Sequence, residues 1–183
     1  MRLIETAEDL AEGSAHLARV CPVWARVLPE LGPLPLRRRA DGFAAICDAI
    51  VSQQISTHAA AAIAGRMAEA GLTGAEAIAA ADDAALQGAG LSRPKIRYLR
   101  GIAQAGIDWP ALRELPDEAV IAALVALPGI GRWTAEIYLK FALGRADAFA
   151  AGDLALQEAA KLLYDLPERP TPARLTDLAE PWR

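Results

Sequence analysis

Several things are scarce in this sequence, and each scarcity removes a class of protein. Cysteine occurs only as Cys21 and Cys47, too few for a disulfide framework or a four-cysteine iron–sulfur cluster. The two histidines, His16 and His58, have no partner at metal-ligand spacing, which argues against a structural zinc or any other metal. No apolar run approaches the ~18 to 20 residues of a membrane span. The start, Met1-Arg2-Leu3-Ile4-Glu5, turns acidic at once instead of building the apolar core of a secretory signal. The expectation is a soluble cytoplasmic protein with no membrane partner. Positive charge is also in deficit: 19 Lys and Arg face 23 Asp and Glu, a net charge of −4. That is the wrong sign for coating nucleic acid through bulk electrostatics.

What is present is ample apolar material, 54% of 183 residues, enough for one domain or two small lobes. Charge is uneven along the chain. Glu5, Glu8, Asp9 and Glu12 crowd the N-terminus, whereas Arg93, Lys95, Arg97 and Arg100 occur with no acid among them. A local basic face on an acidic protein would give binding to nucleic acid only a modest salt dependence. No stretch sustains β alternation, and Gly and Pro punctuation divides the chain into about eight to ten short helices, so the fold class is all-α.

In chain order, residues 1–20 read as a helix weakened by Gly13. Pro22, Pro29, Pro33 and Pro35 then predict an extended connector. Arg37-Arg38-Arg39 reads first as a solvated cluster. From Asp41, a candidate N-cap, the residues Phe43, Ile46, Cys47, Ile50 and Val51 form one apolar stripe. Ser52-Gln53-Gln54-Ile55-Ser56-Thr57 interrupts it; by pattern alone this is a neutral loop, with Ser56 capping the Ala-rich helix that follows. A single short helix is expected over 75–86. Ser92 is a plausible cap for a helix whose Arg93, Arg97 and Arg100 share a side that is either solvated or turned to phosphates. Acids at Asp117 and Glu118 open a helix with Val120, Ile121, Leu124, Val125 and Leu127 as its buried stripe. Further helices are expected from about Trp133 to Leu143 and over 154–163.

The stretch that organises the chain is Leu127-Pro128-Gly129-Ile130-Gly131-Arg132-Trp133-Thr134-Ala135. Pro128 stops one helix, and the two glycines admit backbone geometries and close approaches that a Cβ would hinder. Backbone N–H groups leading into a helix N-terminus suit a phosphate. The alternative is a tight turn between helices with no ligand.

This stretch, followed by Phe141-Ala142-Leu143-Gly144, Asp147-Ala148-Phe149 and Gly152-Asp153, resembles the helix-hairpin-helix DNA glycosylases, in particular the bacterial 3-methyladenine DNA glycosylase II branch. The likeness extends back to Ile50-Val51-Ser52-Gln53-Gln54-Ile55-Ser56 and to Gly90-Leu91-Ser92 with Lys95 and Tyr98, and so covers about residues 40–160. It implies a two-lobed helix-hairpin-helix fold without the N-terminal β-domain of some members. Residues 36–144 would form a central helical domain, and 1–35 with 145–183 a second lobe built from both termini. Relatives continue past a Pro-Trp-Arg like Pro181-Trp182-Arg183 into a further amphipathic helix.

The resemblance also assigns roles. Gly129, Ile130, Gly131, Arg132 and Thr134 would hold the backbone of double-stranded DNA containing a damaged base. Asp153, 22 residues after Gly131, falls at the catalytic aspartate; read alone, it would be a helix N-cap, and it can be both. Trp133 stands where strand-cleaving relatives carry a Schiff-base lysine, which implies base removal without lyase activity. Trp133, Ile137 and Gln53 would line the base pocket, with the indole stacking on a cationic purine; packing between helices is the plainer role for Trp133. Gln54, with Ile55 beside it, would fill the gap left by the flipped nucleotide. No cofactor and no iron–sulfur cluster are implied, and a monovalent cation could sit at the hairpin when DNA is bound. The implied activity is hydrolysis of the N-glycosidic bond of 3-methyladenine- or 7-methylguanine-type lesions. A helix-hairpin-helix module that binds DNA without catalysis is the alternative.

Overall fold

The computed structural model describes residues 2–183. Among them there are twelve α-helices and no strand; a lone antiparallel bridge joins Leu3 to Arg145. The helices are α1 (Ala7–Val20), α2 (Pro22–Leu31), α3 (Phe43–Ser52), α4 (Thr57–Glu69), α5 (Ala75–Ala80), α6 (Asp83–Gly88), α7 (Arg93–Gln104), α8 (Trp109–Leu112), α9 (Asp117–Val125), α10 (Arg132–Tyr138), α11 (Leu154–Leu163) and α12 (Pro172–Ala179). A π turn, Leu139–Leu143, follows α10 directly.

The chain divides into two compact units, Arg39–Tyr138 and a second made of Leu139–Arg183 with the N-terminal part up to Arg38. In the first, α3 packs on α4, α7 and α10, α7 also carries α5 and α6, and α9 packs on α10. Ile46, Ile50, Ile78, Leu86, Leu99, Ile102, Val120 and Leu124 are its fully buried large side chains. These are the apolar stripes of α3, α5, α6, α7 and α9, each too narrow to be stable in water alone.

In the second unit α1 packs on α2, and α11 on α12. Neither α1 nor α2 contains a fully buried residue. Its buried cluster is Ala151, Ala160 and Leu175, with Phe149 and Tyr164 partly buried against it. The half-buried Trp182 meets Trp24 edge-on at 5.5 Å and Phe149 at 5.8 Å and lies nearly parallel to Tyr164 at 6.4 Å. Backbone bonds Ile4 N–H to Gly144 O and Ala146 N–H to Arg2 O tie the N-terminal segment to residues 144–146.

Several local expectations change. Residues 22–31 are a helix despite two prolines, because Pro22 occupies the first turn, where no N–H is needed, and Pro29 removes one bond near the end. Asp41 does not cap α3; Gly42 stands at that position with φ +77°, and Asp41 pairs with Arg113 at 2.6 Å. The segment 75–86 is two helices, since the Asp82 carboxylate accepts from Ala85 N–H at 2.7 Å and starts a new one. Val125 is exposed rather than part of the buried stripe of α9. The helix expected to run to Leu143 changes register at Leu139 into the π turn.

Candidate functional site

The hairpin between α9 and α10 rests on α7. Gly101 of α7 has Pro128 against it so closely that an added Cβ would lie 2.7 Å from the proline ring. Gly129 has φ +80°, and a Cβ there would come within 2.5 Å of the Tyr98 ring. Both constraints come from inside the protein. Gly131 differs, since its backbone is not left-handed and nothing lies within 4 Å of its Cβ position. The fold therefore does not demand a glycine there, and the space outside is open to a ligand backbone.

The other hairpin residues divide in the same way. The side chains of Ile130 and Thr134 are buried and anchor the turn, which leaves only their backbone for contact with a ligand. Arg132 lies across two acids, Glu118 at 2.7 Å and Glu136 at 2.9 Å. Its hydrogen bond draws the Glu118 carboxyl below its ordinary range, whereas burial raises that of Glu136 against the pull of Arg132. The Arg132 charge is thus already balanced within the protein. Trp133 is 47% exposed, unlike a core residue, and Ile137, one turn on, is half-buried.

The segment between α3 and α4 is brought to the hairpin. Gln53 donates its side-chain amide to Gly129 O at 3.0 Å. Gln54 and Ile55 are exposed, and Gln54 adopts φ +59°, which is unusual for a residue with a Cβ. Lys95 donates to Val51 O at 2.6 Å, and Ser56 caps α4 by accepting from Ala59 N–H at 3.2 Å. Burial depresses the Lys95 ammonium. Arg100 binds Asp83 and the carbonyl of Ala81, and Arg97 lies 5.5 Å over the Tyr98 ring. Much of the basic side of α7 is thus spent on the fold.

Asp153 belongs to the other unit. It is the N-cap of α11, its Oδ1 accepting from Ala155 N–H at 2.8 Å and Leu156 N–H at 3.3 Å. The preceding loop is fixed by Gln157, a buried amide that donates to Ala151 O at 2.8 Å. The charge of Asp153 is felt by Lys140 on the π turn. Burial depresses the Lys140 ammonium, Asp153 acts against that, and Arg37 adds to it. Sequence patterning missed Gln157 and Lys140. An isolated amide in an Ala-rich helix and a lysine in an apolar run carry no signal until their neighbours are placed.

No group of three or more His, Cys, Asp or Glu gathers among the described residues in a way that could hold a metal ion. Gly129 O already accepts from Gln53 and retains a second lone pair.

A helical hairpin with one glycine set by the fold and one open to the outside, an exposed indole beside it and an N-capping acid further along define a class. The family model for the HhH-GPD superfamily base excision DNA repair protein matches residues 47–183, and the chain belongs to that superfamily. It is similar to DNA-3-methyladenine glycosylase 1 of Schizosaccharomyces pombe, with 31% identity over 179 residues that cover 91% of this chain and 78% of the relative. Among solved structures, the 3-methyladenine DNA glycosylase of the same yeast in complex with abasic DNA superposes with a TM-score of 0.81. Identity is 29%, covering 93% of this chain and 89% of that one. The Bacillus halodurans DNA-3-methyladenine glycosidase gives 0.84 at 32% identity, covering all of this chain and 86% of its own.

Proposed function

We propose that this protein is a base-excision DNA glycosylase that hydrolyses the N-glycosidic bond of alkylated purines in duplex DNA and leaves an abasic site. The observation that carries the reading is Asp153: a carboxylate fixed by two backbone N–H groups at the start of α11, in a chain whose hairpin leaves Gly131 open to a ligand backbone.

The chemistry follows from the substrate. Breaking the bond develops positive charge on the sugar, and a carboxylate held in place by the fold stabilises that charge without reorganising. The same group can orient or deprotonate the attacking water. Ordinary glycosidases add a general acid for the leaving group. A 3- or 7-alkylated purine is already cationic, so it leaves without one. The exposed Trp133 indole offers such a base a π face, an interaction worth roughly 0.5–2 kcal/mol. Because Trp133 occupies the position of the Schiff-base lysine, the strand stays intact. At the hairpin, backbone N–H groups hold the phosphates without reading sequence, which reconciles DNA binding with a net charge of −4; a monovalent cation on the hairpin carbonyls would add to that hold.

The test is release of free base from duplexes carrying 3-methyladenine or 7-methylguanine. Asp153→Asn should cut release by roughly 10²- to 10³-fold while DNA binding survives, and borohydride should trap no covalent adduct. A fully active Asp153→Asn variant would overturn the mechanism, and a wild-type protein that binds DNA but releases no base would leave only a binding module.

A further inference from the structure

We propose that Gln53 is a positioning residue that latches the gap-filling segment to the hairpin, so that gripping the DNA backbone and filling the space of the flipped nucleotide are mechanically one event. The inference rests on the glycosylase reading above but concerns a residue whose expected place was the base pocket. The Gln53 side-chain amide donates to Gly129 O at 3.0 Å, across 76 residues of sequence. That carbonyl has little freedom, because Gly129 holds a left-handed φ of +80° against the Tyr98 ring. The latch therefore closes on a fixed point.

The segment it holds is fastened on both sides. Val51 O accepts from Lys95 on α7, and Ser56 caps α4. Between these points Gln54 carries the only left-handed φ of a non-glycine residue in the unit Arg39–Tyr138, among the described residues. A residue with a Cβ holds such a conformation only when its surroundings impose it. The neighbouring Gln53 bond supplies that constraint, and Gln54 is left exposed at the tip. One Gln53 amide hydrogen is engaged by Gly129 O, and the action assigned to Gln53 runs through Gln54.

The experiment compares two labelled duplexes of one sequence, undamaged and carrying a tetrahydrofuran abasic analogue, with 2-aminopurine next to the analogue to report unstacking. Gln53→Leu keeps the shape and removes the donor; Gln53→Glu keeps the shape and sets an acceptor against the carbonyl. Both should bind the undamaged duplex within about twofold of wild type, yet lose about tenfold in preference for the abasic duplex, the scale of one hydrogen bond. The 2-aminopurine signal should fall in parallel. In a double-mutant cycle, Gln54→Ala should cost little more once Gln53 is Leu. A Gln53→Leu protein with undiminished preference, additive losses in the cycle, or equal weakening on both duplexes each overturns the latch. A wild-type protein without any preference for the abasic duplex overturns the glycosylase reading and the latch with it.

Discussion

The two units of this chain solve the packing problem with different materials. The unit Arg39–Tyr138, which carries the hairpin and the segment between α3 and α4, is built on isoleucine, leucine and valine side chains that exclude solvent completely. Among the described residues, the unit that carries Asp153 has only Leu139 and Leu175 among the largest fully buried side chains, and gathers the half-buried Trp24, Phe149, Tyr164 and Trp182. Aliphatic side chains from many helices interdigitate into a close-packed body with little room to shift. Edge-to-face rings let few, short elements reach one another over longer distances. The difference teaches that the glycine hairpin is placed on the unit whose helices bury the most large aliphatic side chains. The acid relies on local fastening, by the α11 amides and by Gln157.

The comparison can be broken most sharply at Asp153. Asparagine caps a helix about as well as aspartate, so Asp153→Asn removes charge but not structure. Base release should fall by roughly 10²- to 10³-fold, the scale of one electrostatic group in a transition state, with the melting temperature unchanged. Single-turnover release and calorimetry check this together. Next in size is the contrast between cores. Leu124→Ala should cost about 2–5 kcal/mol in urea unfolding, as expected where a fully buried leucine is removed from a rigid setting. Trp182→Ala should cost about 1.5–4.5 kcal/mol, because three ring pairs are lost, each worth roughly 0.5–1.5 kcal/mol beyond its area. A loss well below about 1.5 kcal/mol would show that the ring contacts do not hold the second unit.

The hairpin glycines give a smaller effect that separates fold from function. Gly129→Ala should destabilise by at least about 1–2 kcal/mol, from the left-handed φ alone, and should weaken binding with it. Gly131→Ala should leave the unfolding free energy within about 0.5 kcal/mol while weakening DNA affinity, read by fluorescence anisotropy. The smallest effect lies in the alkaline limb. Burial, aided by Asp48, pushes the Cys47 thiol up from 9.0 to about 12. Between those values the folded state keeps a proton that the unfolded chain gives up, so this contribution is intact below pH 9 and is lost as pH rises toward 12. Cys47→Ala should flatten that part of the urea-midpoint profile. Cys21 should show no such loss: burial raises its thiol, but hydrogen bonds from Tyr164, the Trp24 and Val23 backbone and Trp182 outweigh it and lower it.

The helices with one strong apolar stripe, α3, α7 and α9, were legible because their periodicity is local. So were the hairpin and the cap at Asp153, whose residue types have few other uses in that order. Pro22 and Pro29 misled because proline's cost depends on where in a helix it falls. The split of 75–86 was hidden because an Asp reads as a cap only once its carboxylate is seen to accept from the chain. Ile130, Thr134 and Arg132 were legible as members of the hairpin but not in what they touch, since burial and ion pairing involve residues far away in sequence.

By itself the sequence determined the all-helical class, the site of the glycine hairpin and the acid that follows it, because hydrophobic period, turn chemistry and capping are properties of neighbouring residues. Only the tertiary structure decided which glycine serves the fold and which is left open, that the Gln53 amide reaches Gly129 O, and that Gln157 and Lys140 belong to the surroundings of Asp153. Those facts depend on which segments meet. That is settled by the burial of many stripes at once, which no single stretch of sequence contains.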